Sequence, residues 1–325
     1  MNLTSIAKLA GVSVSTVSKA FSGSSEISME TKERIFQVAR QTGCFDKYTK
    51  NKYAKKVIAV IYPEMASDYY TSIVNKLDHF ISEKGAVLIS SATNFDGERE
   101  SELFTYYSAY AKVDGIIMVD MRNKPDNRIN TPFVSLSTAA RHSFADAIHN
   151  DLYSAIEEAI QYLQSLGHFN IGFASEKLTV QKLEYYKTAM RKAGLAVRPA
   201  NFKISEKRFE EAGIEMMNEW LDSNYAPTAI IAAYDYIAIG LTKSIYQHGF
   251  RIPDDFSIIG MDDISAVSHT NTAISSIRTN TEKACLSAVE LLMKKIDNPH
   301  YTSRDYISIP AKLVIRESVG PAKLI

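Results

Sequence analysis

A short run near the N-terminus holds the chain's densest set of groups suited to touching another molecule: Ser13, Val14, Ser15, Thr16, Ser18 and Lys19. Their spacing sorts them. Ser13 caps a helix predicted from Val14 to Phe21, in which Val17 and Phe21 (i, i+4) face inward. That leaves Val14, Ser15, Ser18 and Lys19 on the other face, short side chains plus one cation. A capped helix with a small, hydroxyl-rich outer face fits deep in a DNA major groove. Ahead of it, Thr4–Ala10 reads as a first helix, with Thr4 as its cap and Ile6, Leu9 and Ala10 as an inward stripe. Gly11-Val12 breaks that helix, glycine supplying the positive φ of a tight helix-helix turn. A third helix starts at a Ser28 cap and runs to about Thr42, with Ile35, Val38 and Ala39 packing on the first two.

The sequence offers no catalytic grouping. It contains no P-loop, no Gly-x-Gly-x-x-Gly, no His-Glu-x-x-His and no Gly-x-Ser-x-Gly. The seven histidines are scattered. His269 follows Asp262-Asp263 closely, but one histidine beside two carboxylates is more often a hydrogen-bonded pair than a metal site. Cys44 and Cys285 lie in different predicted units, with neither metal nor disulfide spacing, and read as reduced thiols of a cytoplasmic protein. Neither enzymatic activity, nor a cofactor, nor a bound metal is expected.

These groups must be positioned by a chain of 325 residues, long enough for two or three folding units. An apolar fraction of 46% and a charged fraction of 23% are those of a globular protein with a sizeable core. No N-terminal targeting pattern and no run of about 18 uncharged apolar residues is present, which excludes a membrane span. The net charge is zero, yet unevenly spread. Residues 1–56 hold ten lysines and arginines against four acids, a formal +6, so the remainder carries −6. A basic head on an acidic body is the footprint of a nucleic-acid-binding module joined to a domain with another task.

The head resembles that of a known family. Ala7-x-x-Ala10-Gly11-Val12-Ser13-x-x-Thr16-Val17-Ser18-Lys19, then Ser22-Gly23 and Ser28-x-x-Thr31-x-x-Arg34-Ile35, looks like the LacI-family DNA-binding head. By that resemblance Val14, Ser15 and Lys19 hold the base-reading positions. Lysine there donates to guanine O6 or N7, and Val14 meets a thymine methyl. Ser5, Ser13, Thr16 and Ser18 are assigned to phosphate oxygens, with helix capping as the alternative for any one serine. The segment after Gly43 departs from the family, which usually continues with Tyr-x-Pro-Asn and a hinge helix containing Ala-Arg-x-Leu. Here Phe45–Lys56 lacks the proline and the Arg-x-Leu signature, and the linker is a few residues short. Tyr53 falls where the family's minor-groove leucine would be. It is assigned as an aromatic wedge, a flexible basic tether on phosphates being the alternative.

From Val57 the pattern changes to short apolar runs alternating with amphipathic helices. Strands are predicted at Val57–Tyr62, Val87–Ala92, Gly115–Val119, Phe133–Ser137, Asn170–Ser175, Ala229–Ala233, Ser257–Met261 and Ser275–Thr279. Helices are predicted at Ser72–Lys84, Tyr153–Leu166 and Leu178–Ala193, among others. Such alternation implies parallel sheets covered on both faces, and so many units imply two similar lobes. Ligands of such folds bind beyond the carboxyl ends of the strands. The family resemblance extends through Leu166-Gly167-His168-x-x-Ile171-Gly172-Phe173, Ile252-Pro253-x-Asp255-x-Ser257-Ile258-Ile259-Gly260-Met261-Asp262-Asp263-Ile264 and Pro310-Ala311-x-Leu313-Val314-Ile315-Arg316-Glu317-Ser318.

The resemblance therefore implies an all-α helix-turn-helix head (1–46), an atypical linker (47–56) and a periplasmic-binding-protein-like α/β effector and dimerisation domain (57–325). The latter would comprise two doubly wound parallel-sheet lobes, about 57–151 with 280–310, and 152–279 with 311–325. It places Tyr69, Tyr70, Ser137, Lys182, Tyr234 and Asp262 over the effector. Only Asp262 keeps the family's usual chemistry there. Ser137 replaces a common aspartate, Lys182 an arginine and Tyr234 the asparagine of Asn-Asp. Losing a bidentate arginine and an asparagine weakens a simple-sugar assignment, while the tyrosines point to stacking on a ring, as in a glycoside, a nucleobase or an aromatic compound. Tyr185 and Tyr234 have core packing as their alternative, and Asp235 has helix capping. The function implied is sequence-specific operator binding by a cytoplasmic homodimer, as a repressor controlled by a small effector. The alternatives are a repressor that needs no effector, and a ligand sensor whose head no longer reads an operator.

Overall fold

A computed structural model describes residues 2–49, 55–125, 131–137, 145–223, 225–301 and 303–323. They divide into two compact units, Met1–Lys56 and Val57–Ile325.

The first unit has four helices: α1 (Leu3–Ala10), α2 (Val14–Phe21), α3 (Met29–Gln41) and the short α4 (Phe45–Thr49). Its helix starts follow from side-chain oxygens accepting otherwise unpaired N–H groups. Ser13 takes the Thr16 N–H at 3.0 Å and Ser28 takes that of Thr31 at 3.3 Å. The first cap is Asn2 rather than Thr4, its Oδ1 accepting the Ser5 N–H at 3.0 Å. Gly11 sits at φ 63°, the left-handed conformation its turn requires. Ile6, Ala7, Ala10, Val17, Ala20, Phe21, Ile35 and Ala39 form the core. Leu9 is not among them: it is 60% exposed. At about 100° per residue, Leu9 lies well around the helix from the stripe centred on Ile6, Ala7 and Ala10. Helix α4 brings Phe45 and Tyr48 onto the same core, 6.2 and 5.5 Å from the Phe21 ring, with the Arg40 guanidinium 4.6 Å from Phe45.

The second unit contains two six-stranded sheets. The first sheet has the order β11-β5-β4-β3-β1-β2, all parallel, from β1 (Val57–Tyr62), β2 (Val87–Ala92), β3 (Gly115–Val119), β4 (Phe133–Ser137), β5 (Asp146–Asp151) and β11 (Tyr306–Pro310). The second has the order β12-β10-β9-β8-β6-β7, from β6 (Ile171–Glu176), β7 (Phe202–Ser205), β8 (Ala229–Ala232), β9 (Ser257–Met261), β10 (Ser275–Arg278) and β12 (Lys312–Val314). Only β12 runs antiparallel, to β10. Strands such as Val-Ile-Ala-Val-Ile-Tyr are buried almost throughout, as sheets covered on both faces demand. The covering helices are α5 (Asp68–Glu83), α6 (Gly97–Thr105) and α11 (Thr281–Asp297) on the first sheet. Around the second lie α7 (Leu152–Ser165), α8 (Val180–Lys192), α9 (Phe209–Asp222) and α10 (Asp235–Gln247). His168 is structural: its ring bonds the Thr228 hydroxyl, the Gly320 carbonyl and the Ser257 hydroxyl at 2.9, 2.9 and 3.1 Å. Burial holds its pKa below the ordinary value.

Candidate functional site

Tyr69, Tyr70, Ser137, Lys182, Tyr234 and Asp262 all line one cavity of about 270 Å³ in the second unit. Room of this size suits one small ring compound. Its residues follow the carboxyl ends of strands from both sheets, where parallel strands leave loops free to carry side chains. Glu64 and Tyr69 follow β1, Asp120 follows β3 and Ser137 ends β4. On the other side Glu176 ends β6, Arg208 follows β7, Tyr234 follows β8 and Asp262 follows β9, while Lys182 projects from α8.

On the first-sheet side a carboxylate organises the polar groups. Asp120 accepts the Tyr70 hydroxyl at 2.8 Å and the Ser137 hydroxyl at 3.4 Å. The acid absent at position 137 is thus supplied one strand over. The Tyr69 and Tyr70 rings meet edge-to-face at 5.3 Å. Burial, then the Asp120 charge, pushes both phenols well above the usual tyrosine range, so they remain neutral donors.

On the second-sheet side Lys182 Nζ donates to the Ala233 carbonyl at 2.7 Å and lies 3.9 Å from Asp262 Oδ1. Asp262 has a φ of 92° immediately after its strand, a backbone strain of the kind stored at ligand sites. Its Oδ1 is buried without a hydrogen-bond partner, and so is Glu176 Oε2. Burial raises the pKa of both carboxyls, against the opposing pull of Lys182 on Asp262 and Arg208 on Glu176. The Tyr234 hydroxyl accepts the Phe209 N–H at 2.9 Å and supports the Glu176 carboxyl.

Among the described residues, contacts of Arg208 and Tyr236 join the lobes across the cavity. Arg208 donates from both terminal nitrogens to Glu64, at 2.7 Å each, while its Nε faces Glu176 Oε1 at 3.3 Å. The guanidinium lies between the rings of Phe95 and Phe209, 5.2 and 4.6 Å from their centroids. Nearby, the Tyr236 hydroxyl donates to Asp68 at 2.6 Å.

Several residues depart from expectation. Tyr185 packs edge-on against Tyr153 at 6.1 Å, and Tyr186 is core, its hydroxyl donating to the Ile171 carbonyl. Asp235 does not cap α10, whose cap position is Tyr234. It is buried, accepting the Ile264 N–H and the Ser276 hydroxyl at 2.7 Å each, and so braces the turn that carries Asp262. Gly260 leaves room for it, since a Cβ there would lie 2.1 Å from Asp235 Oδ1. Asp263 binds Arg278 and Arg316 away from the cavity, and His269 bonds its own turn at Ser265. Glu64, Phe95, Asp120, Glu176, Arg208 and Phe209 were not picked from the sequence. For Asp120 and Glu176 the signal was present, a charged residue at the carboxyl end of a readable strand. Arg208 follows β7, a four-residue strand with no such signal.

On the first unit, α2 presents Val14, Ser15, Ser18 and Lys19 outward, Val14 being 42% exposed. Lys19 is held by the Glu26 carboxylate. The Ser5 hydroxyl donates to Asn2 Oδ1 at 3.0 Å, and the hydroxyls of Ser13 and Thr16 bond each other at 2.8 Å. Tyr53 lies outside the described residues. Among the described residues no helix is long and apolar enough to cross a membrane, and no group of three metal-ligating side chains is found.

Residues 2–44 match the family described as bacterial regulatory proteins, lacI family, and residues 160–319 match a periplasmic binding protein-like domain. The chain is 27% identical to the HTH-type transcriptional repressor PurR of Histophilus somni (strain 129Pt), over 97% of each chain. Two solved structures share the fold. One is a complex of the transcriptional regulator CelR with cellobiose, 22% identical with a TM-score of 0.71 over 98% of this chain and 99% of that one. The other is the lac repressor dimer bound to operator and the anti-inducer ONPF, 19% identical with a TM-score of 0.76 over the same shares.

Proposed function

The chain belongs to the lacI family of bacterial regulatory proteins, and on that premise we propose that it is a homodimeric, cytoplasmic repressor whose operator affinity is set by a small ring-containing effector. It is an effector-controlled DNA-binding regulator; the ring compound, the sign of control and the dimer are the proposed part. We assign it no catalytic step. What carries the effector assignment is the polar inventory of the cavity: buried carboxylate oxygens without partners, set among Tyr69, Tyr70, Phe95, Phe209 and Tyr234. A buried unpaired acceptor costs free energy until something donates to it, and aromatic walls favour a ring between them. The relative named as a repressor and the CelR complex with cellobiose support the same assignment.

In the head, Val14, Ser15 and Lys19 read base edges while Ser18, the cap Ser13 and the first-turn residues Ser5 and Thr16 approach phosphates. Tyr53 is proposed as the minor-groove wedge. Each head takes one half-site, as a two-fold dimer requires. Selection of genomic fragments by the full chain tests this: an enriched palindrome is expected, and unenriched recovery contradicts it. A second assignment, repression without effector, draws on the Glu64–Arg208 bridge, which joins the lobes through protein groups alone. A thermal-shift screen against sugars, glycosides and nucleosides separates the two.

A further inference from the structure

Which ring compound the cavity accepts is constrained by what its charged groups already hold. Three of the five N–H groups of Arg208 are engaged, one from each terminal nitrogen by Glu64 and Nε by Glu176, so its charge already faces two carboxylates. Lys182 donates to the Ala233 carbonyl, and its charge lies 3.9 Å from Asp262. Arg122 is exposed, with one terminal nitrogen on the Phe95 carbonyl at 3.2 Å and its guanidinium 5.1 Å from the Phe95 ring. The acceptors are less well provided for: Glu176 Oε2 and Asp262 Oδ1 are buried and receive no hydrogen bond, Asp262 Oδ1 having only the Lys182 charge at 3.9 Å. Their side chains are 3% and 9% exposed. Four carboxylates, Glu64, Asp120, Glu176 and Asp262, line the cavity against three cations.

We propose that the cleft selects its effector by hydrogen-bond donors and rejects anions: the ligand is a neutral or ammonium-bearing polyhydroxylated ring, and Glu176 is a residue that sets this selectivity. This rests on the cavity being the effector site. A hydroxyl or ammonium group fills Glu176 Oε2 and Asp262 Oδ1 and removes the penalty of two orphaned acceptors. A carboxylate or phosphate meets those same oxygens as like charges. At Arg208 it also competes with Glu64 and Glu176, whose charges already face that guanidinium.

Matched ligands decide the matter. The full chain is screened by thermal shift and calorimetry against methyl glucoside, cellobiose and glucosamine, with glucuronate and glucose 6-phosphate as their acidic counterparts, and adenosine against adenosine monophosphate. Neutral or amino members are expected to bind, and the acidic partner of any binder to bind at least about tenfold more weakly. Glu176→Gln is expected to weaken the best binder by a similar factor, with a single cooperative melting transition showing that the variant is folded. An acid that binds as tightly as its neutral partner overturns the inference whatever the variant does, and so does unchanged affinity in Glu176→Gln. Binding by no member of the panel defeats the effector assignment itself, and this inference with it.

Discussion

The outer face of α2 and the wall of the cleft keep their polar groups in opposite states. On α2 the groups are exposed and already provided for: Ser13 and Thr16 bond each other, and Lys19 rests on Glu26. In the cleft the carboxylates Glu176 and Asp262 are buried, and one oxygen of each receives no hydrogen bond. Surface groups lose little by exchanging a local partner or water for DNA, so a face of this kind binds through released counterions and a few base contacts. Buried acceptors have no such exchange available. They hold a cost until a donor reaches them. On the proposed assignments, one region meets a large anion and the other takes a small donor.

Substitutions can break that contrast, and the largest effect belongs to the head. Lys19→Ala is expected to lower specific operator affinity by roughly ten- to hundredfold and to reduce the slope of log K against log salt by about one, while leaving ligand-induced thermal shifts unchanged. Fluorescence anisotropy across a salt series measures both. Next comes the interlobe bridge. Glu64→Ala leaves Arg208 only its contact with Glu176, at a cost of about 1–2 kcal/mol, discounted because the guanidinium is one-third exposed. Thermal unfolding should show a drop of a few degrees, and X-ray scattering a larger radius of gyration.

Ser13→Ala should destabilise α2 by about 1 kcal/mol through loss of the cap, seen as faster amide exchange at Thr16. A drop in operator affinity beyond that loss would assign the hydroxyl a phosphate contact as well. The smallest effect separates the two regions by sign. Burial raises the Glu176 pKa in the fold, so the unfolded chain binds fewer protons over the interval between the two values. Ionised Glu176 therefore costs stability above its raised pKa, and the cost fades as pH falls toward the ordinary carboxylate range. Glu176→Gln should accordingly raise the melting temperature at neutral pH by about 2 °C, with the gain shrinking on acidification, even as effector affinity falls. A loss of stability at pH 7 would contradict the burial assignment.

What the sequence revealed follows the range of the interactions. Strands β1 to β4 and β9 were legible to the residue because each is a short, mostly apolar run, interrupted at most by serine or glycine. Strand β5, Asp-Ala-Ile-His-Asn-Asp, and the short β7, β11 and β12 carry no such signal and form only because neighbours supply the ladder. In the head, caps one turn apart made α2 and α3 readable, whereas Leu9 was misplaced because the choice of buried face on an eight-residue helix is made by its partners. The six cleft positions came from likeness to a family, and the structure gathers them in one cavity. Glu64, Glu176 and Arg208 come together only when two lobes meet, over a separation of 144 residues between Glu64 and Arg208. No local pattern encodes that meeting.

The claim on which all of this depends is that occupancy of the cleft changes what the head does. Titrating the selected operator with the full chain, with and without the panel compound that most raises its melting temperature, tests it directly. Coupled sites typically exchange about 1–3 kcal/mol, so operator affinity should change at least about fivefold, and Asp262→Asn should abolish the change along with ligand binding. Unaltered operator affinity at saturating ligand would contradict it.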